Sequence, residues 1–392
     1  EHHGKYFDDP TAHPGCKARA NYDSAAGTFT GFDNSTAVAK GEPFTGGSFP
    51  CAAKLYTAAA DTTAATNSSG TTIILVHGNS DSPDAWEEFL SGTYKGQDHL
   101  LGGSYAFAYD ATAREQLASK LVKLGHRVIA HDSRTDQACT MTDYEATGTK
   151  SNGFCHQDHG WATPILQELM EAVMTEYPND KIVVISHSLA STVVRDAMRR
   201  NFIGFVNKKR NNNPYARISK VIMASGANHG VSSYEAIVKS GNVTMSRAVV
   251  DQMGSRQSYV LTEFNKVLNG DLQDKWATPC ADGKTLYGGS QYTAGSITDV
   301  CGGNTIKYYT ITMKDIKAGE FQDEFVSEAS SGIFNGSATN ILIELSDYDT
   351  SGYFIDIPAY VPAYVKPGFL ANHFGAVRSE NGMKILLEKL AE

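Results

Sequence analysis

The chain has 392 residues, of which 41% are hydrophobic and 20% charged, and a formal net charge of -9 at pH 7. This composition is typical of a globular protein with one large domain and insertions, or with two unequal domains. The negative charge argues against nucleic acid and anionic membranes as partners, because both attract a basic surface. No apolar run reaches the roughly 18 residues of a membrane-spanning helix, so we expect no integral membrane segment.

The six cysteines indicate an oxidising compartment. An even number of cysteines in loop-like surroundings predicts disulfides, although the sequence leaves their connectivity open. The first residues lack the apolar stretch of a signal peptide, which is expected of a mature secreted protein. Reduced cysteines in a cytosolic enzyme are the alternative. The sequence-local pairs are Cys16 with Cys51, Cys139 with Cys155, and Cys280 with Cys301.

Residues 1–70 are rich in small and polar residues and show little apolar periodicity. We expect them to form an irregular N-terminal extension packed on the core. Regular structure is predicted from residue 71 onward. The β-branched and apolar run 72–76 is typical of a strand buried on both faces. A helix over 113–124 and a strand over 126–130 complete a β-α-β unit.

Helices and strands continue to alternate along the chain, which predicts an α/β fold with a mostly parallel sheet and helices on both faces. Residues 71–231 and 305–392 form the predicted core. Residues 232–304 interrupt it, and we expect this insertion to lie as a lid or cap over the carboxyl edge of the sheet, where such folds bind ligands. A scaffold extension is the alternative. The further predicted elements are helices 161–177, 191–202 and 379–390, and strands 181–185, 218–224, 307–313 and 340–345.

The segment 181–191 has the order strand, tight turn, helix, with Ser188 in the turn. Such a turn exposes a serine hydroxyl at the sheet edge and directs the next backbone N–H at the reacting oxygen. The flanking residues are Ser186 and Ala190, where the usual G-x-S-x-G pattern has glycines. Both are small, and the context of strand and helix predicts Ser188 as a nucleophile.

A serine needs an imidazole to remove its proton and a carboxylate to orient that imidazole. With such a turn the chain order is serine, acid, histidine. After Ser188 the chain contains only His229 and His373. His229 comes too early to follow an acid, whereas His373 follows the last strand and directly precedes the last helix. His373 is therefore the predicted base.

The acid is expected after the strand 307–313. Asp323 lies in the sequence F-Q-D-E-F and is preferred, while Asp315 is nearer to the strand end. Three further aspartates also precede the histidine and stay open as alternatives. They are Asp347, Asp349 and Asp356.

The oxyanion of an acyl-transfer reaction needs two backbone donors. One is the N–H of Leu189, directly after the nucleophile, and the other is expected from Asn79 in the loop after strand 72–76. His77 in the same loop is interpreted as a residue that stabilises the turn and not as a base.

These residues together resemble the bacterial lipases of the α/β-hydrolase superfamily. The resemblance lies in segments 76–79, 186–190, 227–230 and 373–375. It implies an α/β-hydrolase fold and a serine ester hydrolase without a cofactor.

Within that superfamily the chain is most similar to secreted poly(3-hydroxybutyrate) depolymerases with an A-H-S-M-G turn. Segment 77–81 is similar to their H-G-N-G-D loop, and 321–325 to their F-K-D-Q-V acid, which supports Asp323 over Asp315. Segment 347–349 is similar to their D-Y-D segment before the histidine. The similarity covers roughly residues 71–200 and 305–392. Ser80 replaces a glycine, and the insertion has no detailed match.

Two other clusters contain residue types that bind metals, but neither predicts a metal site. Residues 347–352 begin like a calcium loop, D-x-D-x-S-G, but Pro358 occupies the place of the bidentate glutamate. Residues 155–159 concentrate cysteine, histidine and aspartate, and a solvated loop explains them better than zinc. We therefore expect no metal.

The predicted function is ester hydrolysis through an acyl-enzyme, by a monomer acting on aliphatic polyester or lipid esters. The substrate would be an insoluble polymer, a lipid surface or a smaller ester, so triacylglycerol lipase and small-ester carboxylesterase are alternatives. Amide hydrolysis or acyl transfer could use the same residues. A binding protein on a degenerate hydrolase scaffold is the alternative from a different class.

Overall fold

The computed structural model of the chain describes some strands and helices by their backbone alone. The residues described with their side chains are 69–78, 86, 117–131, 166–229, 278–281, 300–313, 323, 326, 328–334, 336–343, 373, 375–379 and 382–392.

In the described part of the chain, eight strands form the main sheet, in the order β12-β11-β10-β9-β5-β8-β4-β3. The pairs β3–β4 and β4–β8 are antiparallel, and all other neighbours are parallel. The strands are β3 (Ala39–Pro43), β4 (Ala53–Ala58), β5 (Thr71–Val76), β8 (Arg127–His131), β9 (Lys181–His187), β10 (Ile218–Ala224), β11 (Lys307–Lys314) and β12 (Ala338–Glu344).

Two smaller antiparallel sheets accompany it: β1 (Tyr22–Asp23) pairs with β2 (Thr28–Phe29), and β7 (Tyr105–Ala108) lies between β6 (Gly92–Tyr94) and β13 (Phe354–Asp356). The helices are α1 (Leu117–Lys123), α2 (His159–Glu176), α3 (Ala190–Val206), α4 (Pro214–Arg217), α5 (Glu328–Ser331), α6 (Phe369–Arg378) and α7 (Glu380–Ala391).

The central strands are buried on both faces because helices cover each side. Alternate residues such as Ile73 and Leu75 of β5 pack in one cluster with Leu117 of α1 and Leu386 of α7. The residues between them point to the opposite face, where α3 packs against β9 and α2 packs on α3. This explains the continuous apolar runs of these strands.

A mostly parallel sheet in which β4, beside the edge strand β3, runs antiparallel to the other strands is the α/β-hydrolase fold. The strand order and the helices on both faces confirm the predicted α/β class. A strand boundary predicted from sequence agrees to the residue at β10 (Ile218–Ala224). Helix α3 is longer than predicted, because Ala190–Val206 continues for another turn beyond 202.

The structure differs from the expected irregular extension over residues 1–70. Strands β3 and β4 belong to the main sheet, so the core begins well before residue 71. Leu55 of β4 pairs with Ile129 of β8 in antiparallel register. A short strand such as β4 obtains its stability from its ladders with neighbouring strands, and little of that shows in its own sequence.

The described residues of the 232–304 insertion, 278–281 and 300–304, lie at the amino edge of the sheet. Cys280 and Cys301 form a disulfide there, with a Cα–Cα distance of 5.7 Å. The Cys280 carbonyl accepts from the Ile306 N–H at 2.7 Å, directly before β11. These residues do not form the predicted lid or cap over the carboxyl edge, and for the rest of the insertion that placement stays a prediction. Residues 230–277 and 282–299, with Cys16, Cys51, Cys139 and Cys155, lie outside the described residues.

Helices α6 and α7 meet closely at a serine and a glycine. Ser379 caps α7 by accepting from the Gly382 N–H at 3.0 Å, and donates to the Gly375 carbonyl at 2.6 Å. A Cβ on Gly382 would lie 2.2 Å from that same carbonyl oxygen. Gly382 therefore permits a close approach that any side chain would prevent.

The carboxyl end of α7 is held by two lysines of the sheet. Lys220 donates to the carbonyls of Lys389 and Leu390, and Lys307 donates to the Glu392 carbonyl at 2.9 Å. Cations at a helix C-terminus satisfy its free carbonyls and complement its dipole. Helix α7 thus fixes α6, on which His373 lies.

Truncation of Leu386 tests this packing. Leu386 is fully buried in the cluster between α7 and the sheet. We expect Leu386→Ala to lower the free energy of unfolding by about 2–5 kcal/mol, because it leaves a cavity. Lys384→Ala on an exposed position of the same helix is the control. Urea unfolding measures the free energy of unfolding of both variants, and equal effects would contradict the burial of Leu386.

Candidate active site

Ser188 lies in the turn between β9 and α3 and has a positive φ of 58°. Its N–H donates to the Ala224 carbonyl at 3.0 Å, and its carbonyl accepts from Ser191 at 3.1 Å and Ala227 at 3.2 Å. A non-glycine residue with positive φ is strained and persists where its surroundings fix it. The side chain is partly exposed at the carboxyl edge.

The two positions that usually carry glycine are occupied without a clash. Ala190 is buried, and Ser186 is buried with its hydroxyl 3.0 Å from that of Ser191. The room for this hydroxyl pair comes from Gly226, whose Cβ would lie 2.5 Å from Ser191 Oγ. A glycine on the neighbouring loop thus takes over part of the role of the missing turn glycines.

The loop after β5 packs directly on this turn. A Cβ on Gly78 would lie 2.9 Å from Ser188 Cβ and 3.1 Å from the His187 carbonyl oxygen. His77 is buried, and its Nδ1–H donates to the Gly78 carbonyl at 2.9 Å, so this nitrogen is engaged in its own turn. Asn79 lies outside the described residues. Leu189, the other expected oxyanion donor, directly follows Ser188 and is buried.

His373 and Asp323 form a buried hydrogen-bonded pair. His373 Nδ1 lies 2.8 Å from Asp323 Oδ1 and 3.0 Å from Oδ2. Their exposed fractions are 3% and 2%. The Asp323 carboxylate also accepts from the Val326 N–H at 3.1 Å. These two donors hold the carboxylate in one orientation beside the imidazole.

His373 lies within helix α6 (Phe369–Arg378), whereas the sequence predicts it in the connection before the last helix. Gly375 and the short distance to the next helix hide this element, because glycine is a poor helix former. Among the acid candidates, Asp323 is the one that the described structure brings to His373. Asp356 is described by its backbone in β13 alone. Asp315, Asp347 and Asp349 lie outside the described residues.

The segment that carries Asp323 is tied to the loop after β10. Asn228 donates to the Ser331 carbonyl at 2.7 Å and accepts from buried Arg195 of α3 at 2.8 Å. His229 donates through Nδ1 to the Ser330 carbonyl at 3.0 Å. Helix α5 is thereby linked to α3. His229, which the sequence excludes as the base, has this structural contact instead.

His187 is the residue that sequence reasoning missed. Its Nε2 lies 2.8 Å from the carbonyl oxygen of His373, and the two rings are 4.8 Å apart between centroids. Burial holds the pKa of His187 well below its usual value. The charges of His373 and Arg378 act in the same direction, while this hydrogen bond and Asp323 oppose it. The signal in the sequence is its place directly before Ser188.

The structure thus brings the serine turn and the Asp323–His373 pair to one site through His187. Between Ser188 and His373 the described residues include no hydrogen bond. Catalytic hydrogen bonds are often long in proteins without substrate and shorten in the complex.

Residues 347–352 and 155–158, from the two clusters considered as metal sites, lie outside the described residues, and His159 is described by its backbone alone. Within the described part of the chain, no group of three or more histidine, cysteine, aspartate or glutamate side chains is arranged to hold a metal ion. Among the helices described, none combines the length and apolar character needed to cross a membrane.

The sequence matches no protein-family model and no curated protein. Among solved structures, the chain is similar to a mature lipase of Bacillus licheniformis, with 13% identity and a TM-score of 0.43 over 84% of this chain and 96% of that chain. An esterase of Pyrobaculum calidifontis has 12% identity and a TM-score of 0.35 over 78% and 75%. A bromoperoxidase of Bacillus anthracis has 13% identity and a TM-score of 0.35 over 87% and 96%. Because these similarities are so low, a proposed function depends on the geometry of the site itself.

The buried His187 makes the stability of the fold depend on pH. Its pKa in the folded chain lies well below the usual value, whereas in the unfolded chain a histidine titrates at about pH 6.5. As the pH falls below that value, the unfolded chain takes up a proton that folded His187 does not accept. The free energy of unfolding therefore drops by roughly 1 kcal/mol per pH unit until the folded pKa is reached.

We expect His187→Gln to lose this part of the acid sensitivity, measured as Tm between about pH 7 and pH 5. His126→Gln is the control, because burial also lowers the pKa of this half-buried histidine at the opposite edge. Its substitution is expected to change the pH slope less. Equal slopes in the wild type and in His187→Gln would contradict the prediction.

Proposed function

We propose that the chain is a secreted serine ester hydrolase with Ser188 as nucleophile, His373 as base and Asp323 as the orienting acid. The observation that carries the proposal is the buried Asp323–His373 pair, held at 2.8 Å beside the strained turn of Ser188. A buried carboxylate that accepts from one imidazole nitrogen orients the ring, so that the other nitrogen can take a hydroxyl proton, as in nucleophilic catalysis.

In the proposed reaction Ser188 Oγ attacks the ester carbonyl, and His373 Nε2 takes the hydroxyl proton. Asp323 keeps the other proton on Nδ1 and stabilises the imidazolium. The negative oxygen accepts from the backbone N–H groups of Leu189 and Asn79. His373 then returns its proton to the leaving alcohol, and water, activated by the same imidazole, releases the acid and restores Ser188.

The proposed substrates are aliphatic polyesters or lipid esters. The motifs at 77–81 and 321–325, which resemble polyhydroxybutyrate depolymerases, support this choice over amides. The negative net charge fits an uncharged substrate better than a polyanion. The Cys280–Cys301 disulfide supports secretion, because disulfides persist in oxidising compartments.

Substitutions in the three residues test the mechanism. We expect Ser188→Ala and His373→Ala to lose p-nitrophenyl butyrate hydrolysis by at least about 10⁴-fold in kcat, since each removes a group of one catalytic unit. Asp323→Asn should cost about 10⁴-fold, because an amide favours the wrong imidazole tautomer. Initial rates and titration by diethyl p-nitrophenyl phosphate measure these effects.

Matched controls lie at the opposite edge of the sheet. Ser219 donates to the Ile182 carbonyl at 3.0 Å, and His126 contacts Ser69 at 2.7 Å. Ser219→Ala and His126→Ala should keep the activity and the organophosphate stoichiometry. Full activity in Ser188→Ala would overturn the assignment of the nucleophile, whereas a wild type without esterase activity would leave the binding-protein alternative.

The substrate class is tested by comparing three ester forms at equal enzyme concentration. We expect release of soluble hydroxy acids from amorphous poly(3-hydroxybutyrate) film to exceed release of fatty acid from emulsified tributyrin. Hydrolysis of p-nitrophenyl butyrate should accompany both, because the chemistry is the same. Activity on emulsion or soluble ester without any on film would assign the chain to the lipase or carboxylesterase class instead, and Ser188→Ala serves as the blank throughout.

A further inference from the structure

His187 connects the serine turn to the helix of the proposed base. It is the last residue of β9, and its exposed fraction is 1%. Its side chain reaches α6, where Nε2 lies 2.8 Å from the carbonyl oxygen of His373. A carbonyl oxygen only accepts hydrogen bonds, so Nε2 carries the hydrogen and donates it. The residue before Ser188 thus holds the main chain of His373.

The His187 ring is confined on two further sides. It is tilted by 48° against the His373 ring, with 4.8 Å between centroids. On the other side a Cβ on Gly78 would lie 3.4 Å from His187 Nδ1, so the β5 turn closes against it. A ring held between a backbone turn and a second ring has little freedom to rotate, which fixes the direction of its hydrogen bond.

The imidazole of His187 contributes this bond without adding a charge. Burial lowers its pKa, and the charges of His373 and Arg378 lower it further, against the opposing effects of Asp323 and the hydrogen bond. A neutral ring does not repel the positive charge that His373 acquires when it takes the serine proton. A permanently charged side chain in the same place would oppose that step.

We propose that His187 is a positioning residue, whose Nε2–H holds the His373 main chain so that the His373 imidazole faces Ser188. This inference rests on the proposed function, because His187 acts only through His373. Loss of the hydrogen bond to the His373 carbonyl would leave substrate binding unchanged but slow the proton transfer to His373. The expected signature is therefore a fall in kcat with little change in KM.

Two carboxamide substitutions separate positioning from packing. The side-chain nitrogen of glutamine can occupy the place of His187 Nε2, whereas that of asparagine reaches only the place of Nδ1. We expect His187→Gln to keep kcat for p-nitrophenyl butyrate within about threefold, and His187→Asn to lose about 10- to 100-fold, the scale of a misplaced catalytic group. KM should stay within about threefold in both. Near-UV circular dichroism checks that both variants fold.

Equal kcat values in folded His187→Gln and His187→Asn would overturn the proposal, since packing alone would then explain the residue. Loss of activity in Ser188→Ala with full activity in His187→Asn would overturn it while leaving the proposed function intact. Full activity in Ser188→Ala would remove the proposed function itself.

The tautomer of His187 can be measured in the wild-type protein, so this test does not depend on the folding of a variant. Selective ¹⁵N labelling of histidine reports which nitrogen of each imidazole carries the hydrogen. We expect a neutral His187 with its hydrogen on Nε2 at about pH 7 and still at about pH 6, below the usual histidine pKa. A His187 with its hydrogen on Nδ1, or a protonated His187 at the higher pH, would contradict the proposal, because the contact with the His373 carbonyl could then not be this neutral donor.

Discussion

The parallel pairing of β9 with β5 and β10 is the constraint on which the site depends. Parallel strands end at the same edge, so the residues that follow them meet there. The Ser188 N–H donates to the Ala224 carbonyl at 3.0 Å and so continues the ladder one residue beyond β9. This bond holds a serine at a φ of 58°, a strain of about 1–3 kcal/mol. The fully buried apolar strands on either side offset that cost.

Close packing at this edge explains how an atypical turn sequence is tolerated. Gly78 lies so near Ser188 that any Cβ would be within 2.9 Å of the serine Cβ. The Ser186 and Ser191 hydroxyls fill space that turn glycines would leave empty, and Gly226 makes room for them from the next loop. A glycine on the neighbouring loop therefore provides space that glycines at both ends of the serine turn usually provide. The turn sequence alone shows that those glycines are missing, whereas the structure shows which residue compensates for them.

The elements that could be predicted from sequence are those whose own apolar pattern indicates which residues are buried. Strand β10 and helix α7 have continuous or periodic apolar residues, and their predicted bounds agree with the structure to within a residue. Strand β4 is ordered mainly by its ladder with β8, and the helical course of α6 is obscured by Gly375. The contact of His187 with His373 spans 186 positions. No local pattern specifies such a contact, because it depends on where α6 is held.

Burial of charge limits which residue can occupy position 187. The Asp323 carboxylate is almost fully buried, and such a group costs several kcal/mol unless it is paired and hydrogen-bonded. His373 and the Val326 N–H supply those partners. A cation at position 187 would oppose protonation of His373, and an anion would compete with Asp323 for that proton. A neutral donor satisfies the His373 carbonyl and leaves the charge balance of the pair unchanged. Histidine meets this requirement here because its burial keeps it uncharged.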